Sequence, residues 1–169
     1  SISKTPLKGN RTLDATTLIV APGFIDLHQH AHKPSDYQFK VMDGVTTALE
    51  LEVGVLDIDL WLKQRHGKTP IHYGASIGHM PVRMSVMGDT PSFLPRARSK
   101  AAAKTASPAE LNAIMSKIEQ GLKKGAVAVG FGLQYTPQAS QAEVLDIYHL
   151  AARYNASCHV HMRFKGLDV

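Results

Sequence analysis

Five short apolar runs recur along this 169-residue chain, separated by helix-sized segments. They are GFIDLHQH (23–30), GVTTALELEV (44–53), IHYGASIGH (71–79), GAVAVGFGLQY (125–135) and ASCHVHMRF (156–164). Each opens at or beside a glycine, proline or asparagine and is rich in β-branched or small apolar residues, as strands are. Their apolar residues fall on both faces, which suits strands covered on both sides and so a parallel sheet. Strands alternating with helices read as βαβ units. Two helices are announced by Ser-x-x-Glu capping boxes, Ser107 to Glu110 with proline at the first helical position, and Ser140 to Glu143. Leu111, Ile114, Met115, Ile118 and Leu122 form one helical stripe ending before Gly125, and Val144, Ile147, Tyr148 and Ala151 form the next. A shorter helix spans 58–68 and stops at Gly67. The proline-punctuated stretch 81–100 reads as a long loop, and residues 1–21 as a strand or two before Pro22-Gly23.

The remaining bulk properties exclude several classes. Hydrophobic content of 44% with 20% charged residues describes a globular chain with a core. No apolar run approaches the roughly 20 residues of a membrane span, so no membrane partner is expected. The N-terminal stretch lacks a charged region followed by an apolar one, so no signal peptide is expected. Cys158 is the single cysteine, which rules out an internal disulfide and points to the cytoplasm. The net charge of +5 comes from scattered residues and one cluster, Arg96 to Lys104, with no interleaved aromatics, so nucleic-acid binding is not expected.

The chemistry concentrates at the strand ends. Residues two apart on a strand share a face, so His28 and His30 should project together with Asp26 one step deeper. Two such imidazoles can hold a metal ion, and an acid behind them can orient them. His159 and His161 repeat the pattern on the fifth strand, and Glu50 and Glu52 repeat it with carboxylates on the second. A glutamate on an otherwise apolar strand needs a partner or a metal. If these strands are neighbours in one barrel, all these groups meet at its C-terminal mouth.

The five segments APGFIDLHQH, GVTTALELEVG, GHMPVRMSVMGD, GAVAVGFGLQYTP and HVHMRFKG, in this order and spacing, resemble the D-aminoacylase branch of the amidohydrolase superfamily, the N-acyl-D-amino-acid deacylases. The resemblance implies the N-terminal portion, about five βα units, of a metal-dependent (β/α)8 TIM-like barrel over 22–169. Residues 1–21 would be a remnant of the small flanking β-domain. It implies hydrolysis of N-acyl-amino acids or related amides with one or two divalent ions, zinc first. Other readings are a cyclic amidase or deaminase of the same superfamily, or a non-catalytic interaction fragment. By position, His28, His30 and His161 match metal ligands, and Tyr135 matches a residue that holds the substrate carboxylate. His79 and Arg83 lie in a segment matching substrate contacts. Asp26, Glu50 and His159 would stand behind the ligands, and His32 behind them or on the surface.

One position departs from the pattern. Where the branch commonly has a metal-binding cysteine, this chain has Val53. Glu52 is expected to replace the thiolate, bridging two metals, and a one-residue strand shift would be needed. An oxygen ligand makes the site harder and admits manganese, iron or nickel. A full barrel takes about 250 residues. The resemblance implies a further metal histidine on strand six and an aspartate general base on strand eight, neither with a counterpart in these 169 residues. The partners expected are therefore a small amide substrate and either the remainder of the barrel or another copy of the chain. The polypeptide alone is expected to be inactive and to associate through its open edges.

Overall fold

The computed structural model describes residues 3–30, 33 and 35–163. Five parallel strands form one sheet in the order β1-β2-β3-β4-β5: β1 (Phe24–Asp26), β2 (Val45–Val55), β3 (His72–Gly78), β4 (Ala128–Gly132) and β5 (Ser157–His161). Spatial order equals chain order, so the chain winds in one sense without the switch point of a doubly wound sheet. The helices between them are α1 (Asp36–Met42), α2 (Ile58–Arg65), α3 (His79–Met87), α4 (Lys100–Ala103), α5 (Pro108–Lys123) and α6 (Gln141–Arg153). Among the described residues no helix is long and apolar enough to cross a membrane.

The largest core cluster joins the apolar stripes of α5 and α6 to β3 and β4. Ile114, Ile118 and Ile147 are fully buried against Ile77, Val129 and Phe131. The capping box at Ser107 forms as its spacing predicts, the hydroxyl accepting from the Glu110 N–H and the Glu110 carboxylate accepting from the Ser107 N–H.

Three parts differ from the sequence reading. The stretch 81–100 is not one long loop, because its first residues continue α3. Pro81 lies in the first helical turn, where an N–H has no intrahelical acceptor, so proline costs nothing there. Met80, Met84 and Met87 bury one face against Val53, and Gly88 ends the helix in the left-handed region. Second, residues 3–23 contain neither helix nor strand. Leu13, Leu18, Ile19 and Val20 are exposed there, since their β-propensity finds no sheet to join. Third, α1 occupies a segment for which the sequence reading assigned no element; fully buried Tyr37 anchors it and accepts a hydrogen bond from Arg65 Nε at 3.1 Å.

The distortion that matters most is in β2. Its pairing with β3 runs in step from Thr47↔His72 to Glu50↔Ala75, then resumes at Val55↔Ile77. Residues 51–54 therefore bulge out of the ladder, a larger irregularity than the expected one-residue shift. Gly54 closes the bulge at φ +68, where a Cβ would stand 2.5 Å from Ser76 Oγ. Gly130 on β4 makes room for it, because a Cβ there would lie 2.5 Å from the carbonyl oxygens of Leu51 and Glu52. Ser76 Oγ then donates to the Leu51 carbonyl at 2.7 Å.

Candidate metal centre

The bulge delivers Glu52 to the meeting point of β1, β2 and β5. In a flat sheet β2 and β5 would lie roughly 14 Å apart, three strand spacings. Here the Glu52 carboxylate, only 7% exposed, touches His161 at the end of β5. The sheet is therefore curled, with its C-terminal strand ends drawn together as in a barrel mouth.

The histidine pair reaches the same carboxylate by a different local route from the one expected. β1 ends at Asp26, so His28 and His30 lie beyond the strand and not on its face. Asp26 makes this turn: its Oδ1 accepts the His28 backbone N–H at 3.0 Å, the hydrogen bond of an Asx-turn. Its other oxygen pairs with Lys40 Nζ at 2.5 Å. Burial pushes the Asp26 carboxyl up, but Lys40 and the His28 N–H outweigh it and hold the group below its ordinary pKa. Asp26 thus orients the histidine backbone and not an imidazole. The two rings remain together, 5.1 Å between centroids.

Glu52 Oε2 lies 3.2 Å from His28 Nε2 and 3.5 Å from His30 Nε2. His28, His30 and Glu52 each offer one ligand atom, and these atoms all lie within 4.8 Å of one another. His161 approaches the other oxygen, its Nδ1 in contact with Glu52 Oε1. Glu52 is thus flanked by the histidine pair on one oxygen and His161 on the other. Glu50, also buried, sits behind His30 with its Oε2 2.8 Å from Nδ1. An acceptor at Nδ1 places the proton there and leaves Nε2 as the free lone pair facing Glu52.

This donor set fits a divalent cation. Glu52 Oε1 is buried, makes no hydrogen bond among the described residues and has His161 Nδ1 against it. His161 Nε2 lies 2.9 Å from Gln134 Oε1 while its Nδ1 faces Glu52 Oε1. Imidazole nitrogens with a carboxylate suit zinc and its first-row neighbours.

The other expected residues divide. Tyr135, in a 3-10 turn (Leu133–Tyr135) after β4, is half-buried with its ring 5.1 Å from His161. It stands at the mouth. His159 lies one step below His161 and pairs with Ser157 Oγ at 3.0 Å, not with a ligand. His32 lies outside the described residues.

His79 and Arg83 are not at a substrate surface, since both are 0% exposed. His79 Nε2 meets Glu143 Oε1 at 2.7 Å, Arg83 is hydrogen-bonded to both oxygens of Glu143, and Arg83 Nε donates to the Ala101 carbonyl at 2.9 Å. Side chains with no accessible surface cannot touch a substrate; these tie α3 to α6 and α4. Burial holds the His79 pKa below its ordinary value although Glu143 opposes it. Neutral His79 therefore donates from Nε2 to Glu143. The same network corrects the second capping box. Ser140 Oγ does accept the Glu143 N–H at 3.1 Å, but the Glu143 carboxylate turns inward to Arg83.

Sequence reasoning missed Glu143 because Ser-x-x-Glu signals a cap whichever way the carboxylate turns. It missed Gln134, an exposed polar residue in a turn, and Phe93, whose ring lies 5.4 Å from His30. Neither carries a local sequence signal.

Comparison with known proteins bears on the same architecture. No protein-family profile matches the chain. The chain is 28% identical to an N-acyl-D-glutamate deacylase of Alcaligenes xylosoxydans xylosoxydans, over 93% of this chain and 36% of that protein. It is 25% identical to a D-aminoacylase of the same organism, over 91% of this chain and 36% of that one. Among solved structures it resembles the N-acyl-D-glutamate deacylase from Bordetella bronchiseptica complexed with zinc and a phosphonate mimic of the tetrahedral intermediate. The TM-score is 0.68 and identity 25%, covering 85% of this chain and 34% of that one. A D-aminoacylase structure defining a subset of amidohydrolases matches with a TM-score of 0.64 and 22% identity, covering 85% of this chain and 35% of that one. Another, concerned with the binuclear metal centre of D-aminoacylase, matches at 0.61 and 22% over the same shares, 85% and 35%. The chain spans about a third of the length of the relatives it matches. The five-stranded parallel sheet thus has the fold of the N-terminal portion of a TIM-like barrel. By sequence and by fold together, this chain is similar to the N-terminal third of N-acyl-D-glutamate deacylase and D-aminoacylase.

Proposed function

We propose that this chain carries the metal-holding portion of a divalent-metal-dependent hydrolase of N-acyl-D-amino acids or related amides. The observation that carries the proposal is the convergence of His28, His30 and His161 on the buried carboxylate of Glu52. His28, His30, Glu52 and His161 would hold the metal, one ion or two, with zinc the first candidate. A metal there supplies Lewis acidity, which polarises an amide carbonyl and makes water acidic enough to attack near neutral pH.

The chain's own residues then have separable tasks. Glu50 holds the His30 ring through Nδ1, and Asp26 holds the backbone at His28. Glu52 replaces the cysteine of the family pattern. Cys158 does not take over that role: it lies on β5 packed toward the α5–α6 core, and burial pushes its thiol up to about 11. Tyr135, beside His161, would orient the carboxylate of the acyl-amino acid. The general base is assigned to a part of the barrel outside these residues. The chain by itself is therefore expected to bind metal without hydrolysing amides. A cytoplasmic setting belongs to the same proposal.

The test is hydrolysis of N-acetyl-D-glutamate and other N-acetyl-D-amino acids by the protein that contains this chain, before and after chelation. Activity lost with the metal and restored by zinc is the expected result. Activity indifferent to chelation would sink the proposal.

A further inference from the structure

We propose that Phe93 sets specificity for the acyl group of the substrate: with Val55 and Trp61 it walls a side pocket of the metal centre that takes an uncharged, aliphatic acyl chain. The inference rests on the function proposed above and deepens it.

Phe93 is an exposed aromatic residue whose ring lies 5.4 Å from that of His30. The segment that carries it, residues 89–99 between α3 and α4, is fixed to the fold. Asp89 closes its base by accepting the Lys100 and Ala101 N–H groups at 2.9 and 2.7 Å. Leu94, next to Phe93, packs against the cluster of Val53, Met80, Met84 and Met87. With its neighbour anchored there, the Phe93 ring is held beside the metal centre. Phe93 lines a cavity of about 240 Å³ together with Glu50, Val55, Trp61, Gln64 and Arg65. Sites that enclose a whole small ligand span roughly 300–1,000 Å³, so this cavity suits one part of a substrate. Arg65 offers it no open cation, because the guanidinium is buried, 3.9 Å from the Trp61 ring centroid, and bonded to the Tyr37 hydroxyl and the Trp61 carbonyl. Glu50 adds a carboxylate. An acidic substituent is therefore repelled, and an apolar one against Phe93, Val55 and Trp61 is favoured. Position identifies that substituent. Glu52 divides the mouth, with His30 and Phe93 on its Oε2 side and His161 and Tyr135 on its Oε1 side. The carbonyl carbon of the scissile amide bears the acyl chain on one side and the nitrogen, leading to the amino-acid carboxylate, on the other. A carboxylate held at Tyr135 sends the acyl chain the opposite way, to Phe93.

The test is kcat/KM of the protein that contains this chain, loaded with zinc, along two substrate series. One lengthens the acyl chain on a single D-amino acid, from N-acetyl through N-propionyl to N-butyryl. The other keeps the N-acetyl group and varies the amino acid among D-alanine, D-leucine and D-glutamate. The wild type should gain about fourfold per methylene along the acyl series. Phe93→Ala, with unchanged circular dichroism and zinc content, should lose most of that gain and keep the wild-type ratios among the amino acids. Val55→Thr, which puts a hydroxyl into the same pocket at nearly constant volume, should lower the gain in the same direction and carries the test if Phe93→Ala does not fold. A wild type with no gain along the acyl series overturns the inference, as do variants that keep the full wild-type gain. A Phe93→Ala variant that shifts the amino-acid ratios instead, or loses the same factor on every substrate, overturns it too, since Phe93 would then serve another group or only support His30. A zinc-loaded wild type that hydrolyses none of these amides overturns the proposed function itself, and this inference with it.

Discussion

Glu52 is the residue on which the site turns. It is buried and it meets three imidazoles. Glutamine at the same position keeps the volume and removes the charge. Glu52→Gln should therefore lower zinc affinity more than Glu50→Gln, which stands behind His30 and should cost about tenfold. Competition titration against a chromophoric chelator measures both. Equal affinities for wild type and Glu52→Gln would move the metal site elsewhere. Asp26, Glu50 and Glu52 are all acidic residues near histidines in the sequence. Only the contacts separate them: Asp26 binds a backbone N–H, Glu50 an imidazole from behind, and Glu52 faces the imidazoles in front.

At the scale of elements, two devices hold the strand ends in place. The first is the β2 bulge. Gly54→Ala would force a side chain into the left-handed region and against Ser76, so it should lower both the melting temperature and the metal affinity. A variant that melts like the wild type would show that the bulge does not need its glycine. The second is the buried network of His79, Arg83 and Glu143. Glu143→Ala leaves the Arg83 guanidinium buried without its carboxylate and should cost about 3–5 kcal/mol in chemical denaturation. A loss below about 1 kcal/mol would mean that solvent reaches the network. Acid should weaken the network in two stages. Burial lowers the folded-state pKa of His79, so the unfolded chain binds more protons below about 6.5. The His79 contribution is complete above that pH and erodes as pH falls beneath it. Burial raises the Glu143 pKa but His79 and Arg83 bring it below its ordinary value, so its contribution is lost only at lower pH, below about 4.3. The melting temperature should fall as pH drops below about 6.5 in the wild type and more shallowly in His79→Gln. Equal slopes would remove His79 from the account.

At the largest scale, the described residues form a curled sheet with β1 at one edge and β5 at the other. Phe24, Ile25 and Leu27 are exposed along the β1 edge. Beyond β5, Leu133, Val144, Leu145, Tyr148 and Met162 line an open groove of about 690 Å³. Apolar surface and unpaired backbone at both edges favour association. The 169-residue polypeptide expressed by itself should therefore sediment as oligomers or aggregate. A monodisperse monomer with a cooperative melt would show that the edges are tolerated. The alternation of strands and helices was legible because each element leaves a local mark: the Ser107 box, the Ile114–Ile118–Leu122 stripe, the β-branched run after Gly44. α3 was not legible, because Pro81 and Gly88 look like loop punctuation until the first helical turn and the left-handed cap are seen.

By itself the sequence determined the βαβ alternation, the caps, and a set of histidines and carboxylates at strand ends, since these depend on residues close together in the chain. It also carried the family resemblance, which is a property of residue order. The tertiary structure decided which of those groups meet. His161 lies more than a hundred residues from Glu52, and curling of the sheet with the bulge at 51–54 brings them into contact. His79 and Arg83, matched to a substrate segment, were instead drawn into the core by Glu143, sixty or more residues away. Spacing along the chain specifies faces and turns; contact across the sheet depends on curvature and register, which no local pattern encodes.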